Sequence, residues 1–206
     1  MLFYLRYFYL IPREVQKIIF TLFYKLLFKI NGVKFGTNCR VYNAINLLIH
    51  KGATVFIGDN YKHVSGGFNP LVRNVKGSIY VARNGTLVIG NNVGMSSVIV
   101  WVADSITIGN NVKIGGDSML IDTDAHSLDY KKRRNPLLDV AKTGPIIIED
   151  DVLIGTRCVI MKGVTIGARS IIGAGSIVTK SIPSDCIAAG NPCRVIKYNV
   201  NSTNSR

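Results

Sequence analysis

The sequence predicts an all-β fold: a parallel β-helix of six-residue repeats, with a helix before it and a long loop inside it. The first observation is an aliphatic residue at every sixth position, at Ile148, Ile154, Ile160, Ile166, Ile172 and Val178. The second is a small or β-branched residue four positions later, at Val152, Cys158, Val164, Ser170 and Ser176. The third is an interruption of this period over residues 121–147.

A six-residue period is too short for a pair of helices but accommodates a short strand and a tight turn, three of which close one triangular coil. Stacked coils pair strand on strand about 4.8 Å apart, and Gly or Asn tolerates the turn conformation. Looser copies of the repeat occur earlier, as "FGTNCR" at 35, "IGDNYK" at 57, "IGNNVG" at 89 and "IGNNVK" at 108. We therefore expect the β-helix to occupy residues 31–198, before a polar tail over 199–206.

Residues 1–30 form a separate apolar and basic segment, for which we predict an amphipathic helix with Pro12 near its start. Charged residues break each apolar run before it reaches the roughly 20 residues of a membrane span. Two interpretations stay open: the apolar face covers the end of the β-helix, or it lies on an anionic membrane surface. That face is Val15, Ile18, Ile19, Leu22, Phe23, Leu26, Leu27 and Ile30, with Phe28 a misfit among the polar positions.

The interruption "LIDTDAHSLDYKKRRNP", residues 120–136, carries the histidine that the repeats do not explain. An excursion longer than about 12 to 15 residues is usually functional or disordered. His126 lies at its start, and Asp122 and Asp124 precede it closely enough to hold its ring; a backbone carbonyl is the alternative. The basic run at 131–134 is interpreted either as a solvated face or as a contact for phosphate groups.

The hexads, "GAGSIVTKSIP" and the tail "AAGNPCRVIK" resemble the hexapeptide-repeat acyltransferases, especially sugar O-acetyltransferases of the galactoside, maltose and surface-polysaccharide type. The resemblance covers residues 85–198 strongly and 31–84 weakly. It implies a left-handed β-helix, a homotrimer with active sites between subunits, and acetyl-CoA as the acyl donor. It also implies that His126 takes the proton from the acceptor hydroxyl, a role suited to an imidazole.

The same resemblance places coenzyme A between adjacent β-helices, against small residues in the turns and basic residues late in the chain. Matched motif by motif, the candidates are Thr156, Ala174, Thr179, Lys180, Arg194 and Lys197. Lys197 stands where galactoside enzymes have a second arginine. A lysine can hold a phosphate as a point charge, but it does not form the two parallel hydrogen bonds of an arginine.

The net charge, the cysteines and the histidines limit the classes of ligand that the protein is expected to bind. The formal charge of +13 favours anionic ligands, but no nucleic-acid recognition motif accompanies it, so we predict no nucleic-acid partner. The four cysteines show neither zinc spacing nor a disulfide framework, which favours reduced thiols in the cytoplasm. No metal is predicted, because carbonic anhydrases on this fold need three clustered histidines and His50, His63 and His126 are far apart in the chain.

We therefore expect an acetyl-CoA-dependent O-acetyltransferase acting on a sugar hydroxyl, in capsule, exopolysaccharide or lipopolysaccharide synthesis. The expected location is the cytoplasm, at the inner face of the cell membrane if residues 1–30 contact lipid. The rival with the same fold is an amino-sugar N-acyltransferase, and a non-catalytic solenoid is the rival from another class.

Overall fold

The computed structural model describes residues 12–69 and 74–198, and the predictions for residues 1–11 and 199–206 lie outside these ranges. A helix, α1 (Arg13–Ile30), precedes three parallel sheets that the chain visits in turn. Each circuit through the three sheets is one coil, so strands pair in parallel with strands one circuit away; the exception is the last strand, Cys193–Tyr198, which pairs antiparallel with the strand before it. This is the parallel β-helix that the six-residue period predicts.

The strands are numbered along the chain and grouped by sheet. Sheet A contains β1 (Lys34–Phe35), β4 (Thr54–Ile57), β7 (Thr86–Ile89), β10 (Ser105–Ile108), β13 (Ile146–Ile148) and β16 (Thr165–Ile166). Sheet B contains β2 (Arg40–Tyr42), β5 (Lys62–Val64), β8 (Gly94–Ser96), β11 (Lys113–Ile114), β14 (Leu153–Ile154), β17 (Ile171–Ile172), β19 (Cys186–Gly190) and β20 (Cys193–Tyr198). Sheet C contains β3 (Asn46–Ile49), β6 (Ser78–Val81), β9 (Ile99–Val102), β12 (Met119–Ile121), β15 (Val159–Met161) and β18 (Ile177–Val178).

Every residue in the two predicted repeat columns is buried inside the coils. Side chains alternate in and out along each strand, and in β13 Ile146 and Ile148 point inward while Ile147 points outward. Cys39 and Cys158 lie in the same interior, and burial raises the pKa of the Cys39 thiol to about 11. These two cysteines are therefore packing residues of the interior.

The corner between sheets A and B is built from asparagine and aspartate. Asn60, Asn92 and Asn111 occupy left-handed backbone conformations there, which asparagine tolerates better than most residues. Each side chain donates to the next coil: Asn60 to Asn92, Asn92 to Asn111 and Asn111 to Asp151, at 2.9–3.0 Å. These bonds hold consecutive turns in register along the corner.

The helix packs on the first coil through the side opposite to its main apolar face. Tyr24 and Phe28 are buried, and the Tyr24 hydroxyl accepts from the N–H and donates to the C=O of Ile45 at 2.8 and 2.7 Å. The Thr21 hydroxyl contacts the backbone of Val41 in the same way. The prediction that the apolar face covers the β-helix is therefore wrong, and the misfit Phe28 is the buried anchor.

Seven apolar side chains of α1 consequently face away from the coil, at 41–69% exposure, and we call them the outer face of α1. They are Val15, Ile18, Ile19, Leu22, Phe23, Leu26 and Ile30. Within the part of the chain that the structure describes, no helix is both long enough and apolar enough to cross a membrane.

Two segments leave the coils. The first runs between β5 and β6 at the corner of sheets B and C, and contains a 3₁₀ turn at Gly66–Phe68. The second runs between β12 and β13 at the corner of sheets C and A, and contains a short helix, α2 (Tyr130–Arg133). The second segment is the predicted excursion, and its position fixes where His126 lies.

Candidate active site

The neck of the excursion is a short antiparallel pairing of its two ends. Thr123 pairs with Thr143 as an isolated bridge, the Asp124 N–H donates to the Lys142 C=O, and the Gly144 N–H donates to the Asp122 C=O, both at 2.9 Å. The backbone at Ala125 is left-handed, with φ +61°, which turns the chain outward immediately before His126. The neck thereby presents the histidine at the edge of sheet C.

His126 is held by Asp139, from the far side of the excursion. Its Nδ1 atom lies 2.7 Å from Asp139 Oδ2, and the other carboxylate oxygen accepts from the Ser127 N–H at 2.7 Å. The histidine side chain is 66% exposed, whereas that of Asp139 is 15% exposed. The carboxylate is thus fixed by two residues, and the ring keeps one edge toward solvent.

This geometry defines the tautomer of the neutral ring. The Ser127 N–H, the His126 ring and the nearby Arg133 guanidinium hold the pKa of Asp139 below its ordinary value, so the carboxylate is ionised at neutral pH. An ionised carboxylate only accepts hydrogen bonds, so His126 Nδ1 must carry the proton. The Nε2 atom of the neutral ring, on the exposed side, then carries a free lone pair that can accept a proton from a bound ligand.

The prediction that Asp122 or Asp124 holds the ring is corrected by these contacts. Asp122 is fully buried, and its carboxylate accepts from the N–H groups of Ala103 and Asp104 at 2.6 and 2.8 Å. Burial raises the pKa of Asp122, partly against those hydrogen bonds. Asp124 forms an ion pair with Lys162 at 3.3 Å. Both aspartates fasten the neck to neighbouring coils, which is why neither reaches the imidazole.

All four residues of the basic run are exposed, and one of them, Arg133, also forms a hydrogen bond to the backbone of the excursion. Arg133 Nη1 donates to the Ser127 C=O at 2.6 Å, so it helps to place the segment that carries His126 and its partner N–H. The Asp129 side chain caps α2 by accepting from the Lys131 N–H. Lys131, Lys132 and Arg134 remain exposed to solvent.

Two of the predicted cofactor residues lie together at the corner of sheets B and C. Thr156 and Ala174 occupy turns one coil apart, and the Gly175 N–H donates to the Thr156 C=O at 2.8 Å. The glycine between β14 and Thr156 matters, because a Cβ at Gly155 would meet the Ala174 backbone. The two turns therefore stack in close contact, with no room for a side chain at Gly155.

The other four predicted residues lie elsewhere on the same chain. Thr179 and Lys180 follow β18 at the corner of sheets C and A, the corner at which the excursion leaves the coils, and both are exposed. Arg194 and Lys197 are exposed on β20, the last strand of sheet B. Within one chain the six residues are thus distributed over two corners and a sheet end, instead of forming a single pocket.

Stacked coils built from six-residue repeats define a class of protein, the hexapeptide-repeat β-helices. Residues 145–180 match the family model described as "Hexapeptide repeat of succinyl-transferase". The chain is 41% identical over 124 residues to the galactoside O-acetyltransferase of Escherichia coli K12, covering 60% of this chain and 59% of that protein.

Two further relatives extend the comparison. A solved galactoside acetyltransferase in complex with coenzyme A is 31% identical, with a TM-score of 0.54 over 81% of this chain and 64% of that one. A 2,3,4,5-tetrahydropyridine-2,6-dicarboxylate N-acetyltransferase of Staphylococcus aureus strain Newman is 38% identical over 89 residues, 43% of this chain and 31% of that protein.

The chain is thus similar to hexapeptide-repeat acetyltransferases, and its fold is the left-handed parallel β-helix that its repeats predict. Its matches span 59% and 31% of the two curated relatives named above, so those proteins contain further sequence outside the shared region.

Proposed function

We propose that this chain is an acetyl-CoA-dependent O-acetyltransferase that acetylates a sugar hydroxyl. The observation that carries the proposal is the His126–Asp139 pair, with an exposed Nε2, at the excursion of a hexapeptide-repeat β-helix. Similarity to a galactoside O-acetyltransferase supports the acceptor class. Residues 31–198 are the region to which we assign the transfer.

His126 is the general base in this mechanism. A sugar hydroxyl is a poor nucleophile at neutral pH, and an imidazole lone pair within reach removes its proton as the oxygen forms a bond to the thioester carbonyl carbon. The carbon–sulfur bond breaks, and the imidazolium returns the same proton to the leaving sulfur. Asp139 stabilises the imidazolium between these two proton transfers and keeps the ring oriented.

The donor supplies an activated acetyl group, and the residues proposed to bind it are Thr156, Ala174, Thr179, Lys180, Arg194 and Lys197. The close stacking at Gly155 supports the assignment of Thr156 and Ala174 to one ligand, because their turns are in contact. The three basic residues are exposed and are suited to hold phosphate groups.

A homotrimer is part of the proposal. Four apolar side chains of the excursion, Leu128, Leu137, Leu138 and Val140, are 53–88% exposed in the single chain, which supports coverage by a neighbouring copy. The separation of the donor-binding candidates over two corners of one chain also supports sites completed between subunits. Sedimentation equilibrium tests this: the expected mass is that of three 22.6 kDa chains, and a monomeric mass would contradict it.

A panel assay tests the activity. Acetyl-CoA turnover, followed by thiol release, is expected with at least one galactoside or surface-polysaccharide sugar and absent without acceptor. Hydroxylamine treatment of the product distinguishes O-acetylation from N-acetylation, because it removes O-acetyl but not N-acetyl groups. A stable product would favour the N-acyltransferase class, to which the Staphylococcus aureus relative belongs by name.

A further inference from the structure

We propose that the outer face of α1 binds the surface of an anionic lipid bilayer. This inference goes beyond acyl transfer and does not depend on it. It starts from the fixed orientation of the helix, because Tyr24 and Phe28 anchor its other side to the first coil. The helix cannot roll to bury Leu22 or Leu26 without breaking those contacts.

The outer face has the dimensions of an interfacial helix. Eighteen residues at 1.5 Å each give a length of about 27 Å, and all seven members of the face are large and apolar. A monomeric soluble protein rarely exposes so continuous an apolar surface without a partner. An amphipathic helix of this kind lies in the plane of the interface with its apolar side in the acyl boundary.

Charge identifies the lipid as anionic. Residues 1–30 contain five basic side chains and one acidic one, Glu14, which forms an ion pair with Lys17 at 2.6 Å. Lys25 and Lys29 lie one turn apart, and at 100° per residue Lys29 falls between Ile18 and Leu22, at the border of the outer face. Long basic side chains in that position extend to lipid headgroups while the helix sits below them.

The sequence before the helix is also apolar, aromatic and basic. Residues 1–11, "MLFYLRYFYLI", contain five aromatic residues and Arg6, with no acidic residue. Aromatic residues are enriched at membrane–water interfaces, so the composition adjoining α1 matches the chemistry of its outer face. A second copy of the chain is a poorer occupant, because pairing two outer faces brings like charges at Lys25 and Lys29 together.

The position of α1 at the end of the β-helix gives the proposal a geometric consequence. The helix contacts β1 and β2, so its outer face points away from the first coil. In a trimer with parallel β-helices, all three outer faces would lie at the same end and could contact one flat surface together. Simultaneous contact raises the apparent affinity well above that of a single helix.

Vesicle co-sedimentation of the full chain tests the proposal, with phosphatidylglycerol–phosphatidylcholine vesicles and phosphatidylcholine vesicles as the two probes. The wild type is expected to bind the anionic vesicles and to bind the neutral ones at least about tenfold more weakly. Leu22→Glu with Leu26→Glu is expected to lose about a hundredfold or more of the anionic binding. Both positions are exposed, so the fold should be retained.

The matched control is Phe56→Glu with Ile147→Glu, which makes the same changes at two exposed apolar positions of sheet A. This control should bind vesicles like the wild type. Lys25→Gln with Lys29→Gln supplies an independent arm, expected to weaken anionic binding about tenfold or more while leaving neutral binding unchanged. Acetyl transfer to a soluble acceptor should persist in all variants, which separates this proposal from the proposed function.

Three results would overturn the proposal. The wild type could fail to bind anionic vesicles, or the Leu22/Leu26 variant could bind them as well as the wild type does. Alternatively, the wild type could form an assembly that the same variant dissolves, which would assign the outer face to another copy of the chain.

Discussion

The Nδ1 atom of His126 lies 2.7 Å from Oδ2 of Asp139, across thirteen residues of an excursion that leaves the β-helix. The contact joins the two sides of the excursion, and the Ser127 N–H holds the second carboxylate oxygen. A solvent-facing histidine is thereby given a fixed ring orientation and a defined tautomer. This relationship distinguishes His126 from an ordinary loop histidine.

Asp139→Asn should lower kcat by about 100-fold or more with little change in KM. The amide removes the negative charge that stabilises the imidazolium, and its NH₂ group can donate to Nδ1, which leaves the proton on the wrong nitrogen. Steady-state kinetics with saturating acetyl-CoA measure the effect.

Asp124→Asn is the matched control for that substitution. It makes the same chemical change fifteen positions earlier, in a side chain that contacts Lys162 instead of the histidine. This largely buried ion pair contributes to the stability of the neck and not to the orientation of the ring, so kcat of the folded variant should stay within about threefold of the wild type. A larger loss in Asp124→Asn than in Asp139→Asn would restore the sequence-based assignment and reject the structural one.

Ile148→Ala should destabilise the protein by about 2–5 kcal/mol, because the side chain is fully buried and its loss leaves a cavity between coils. Ile147→Ala, one residue earlier in the same strand, should cost less than about 1 kcal/mol, because that side chain points outward and is 40% exposed. Urea denaturation of the two variants measures the difference. Equal losses would show that β13 does not alternate as described.

His63 should make the stability depend on pH between pH 7 and pH 5. It is fully buried beside the Tyr61 hydroxyl, and burial lowers the pKa of His63 to about 4. The unfolded chain takes up the proton near pH 6.5 whereas the folded chain does not, so stability is lost as the pH falls below 6.5. The loss between pH 7 and pH 5 should be about 2 kcal/mol.

His63→Gln provides the comparison, because glutamine does not titrate. Its free energy of unfolding should be lower than that of the wild type at pH 7 but should change less between pH 7 and pH 5. Denaturant titrations at both pH values measure the two slopes. Identical slopes in the two proteins would mean that His63 takes up its proton equally in the folded and unfolded chains.

The repeat architecture could be predicted from the sequence because its signal is local and periodic. Two columns of the six-residue repeat fill the interior, so residues such as Ile148 and Ile160 identify their own positions without knowledge of any distant contact. The start of the excursion was equally visible, since the period stops after Leu120. That placement, together with the resemblance to hexapeptide-repeat acyltransferases, predicts His126 as the base from among three histidines.

The histidine's partner was not predictable by the same means. Asp122 and Asp124 are nearer in sequence, but the turn at Ala125 separates their side chains from the ring, and the returning strand of the excursion delivers Asp139. The helix illustrates a related difficulty. A helical wheel identifies the apolar face of α1, yet the burial of Tyr24 and Phe28 depends on the shape of the first coil and on the backbone groups of Ile45.

The most direct test of the account is acetyl transfer by His126→Ala, measured beside the wild type on an acceptor found in the sugar panel. Loss of the general base should lower kcat by about 100- to 10,000-fold, while circular dichroism and the sedimentation mass stay unchanged. Because the His126 side chain is exposed, its replacement by alanine should leave the protein folded. Wild-type kcat in a correctly assembled His126→Ala protein would contradict the central claim that this histidine takes the proton from the acceptor.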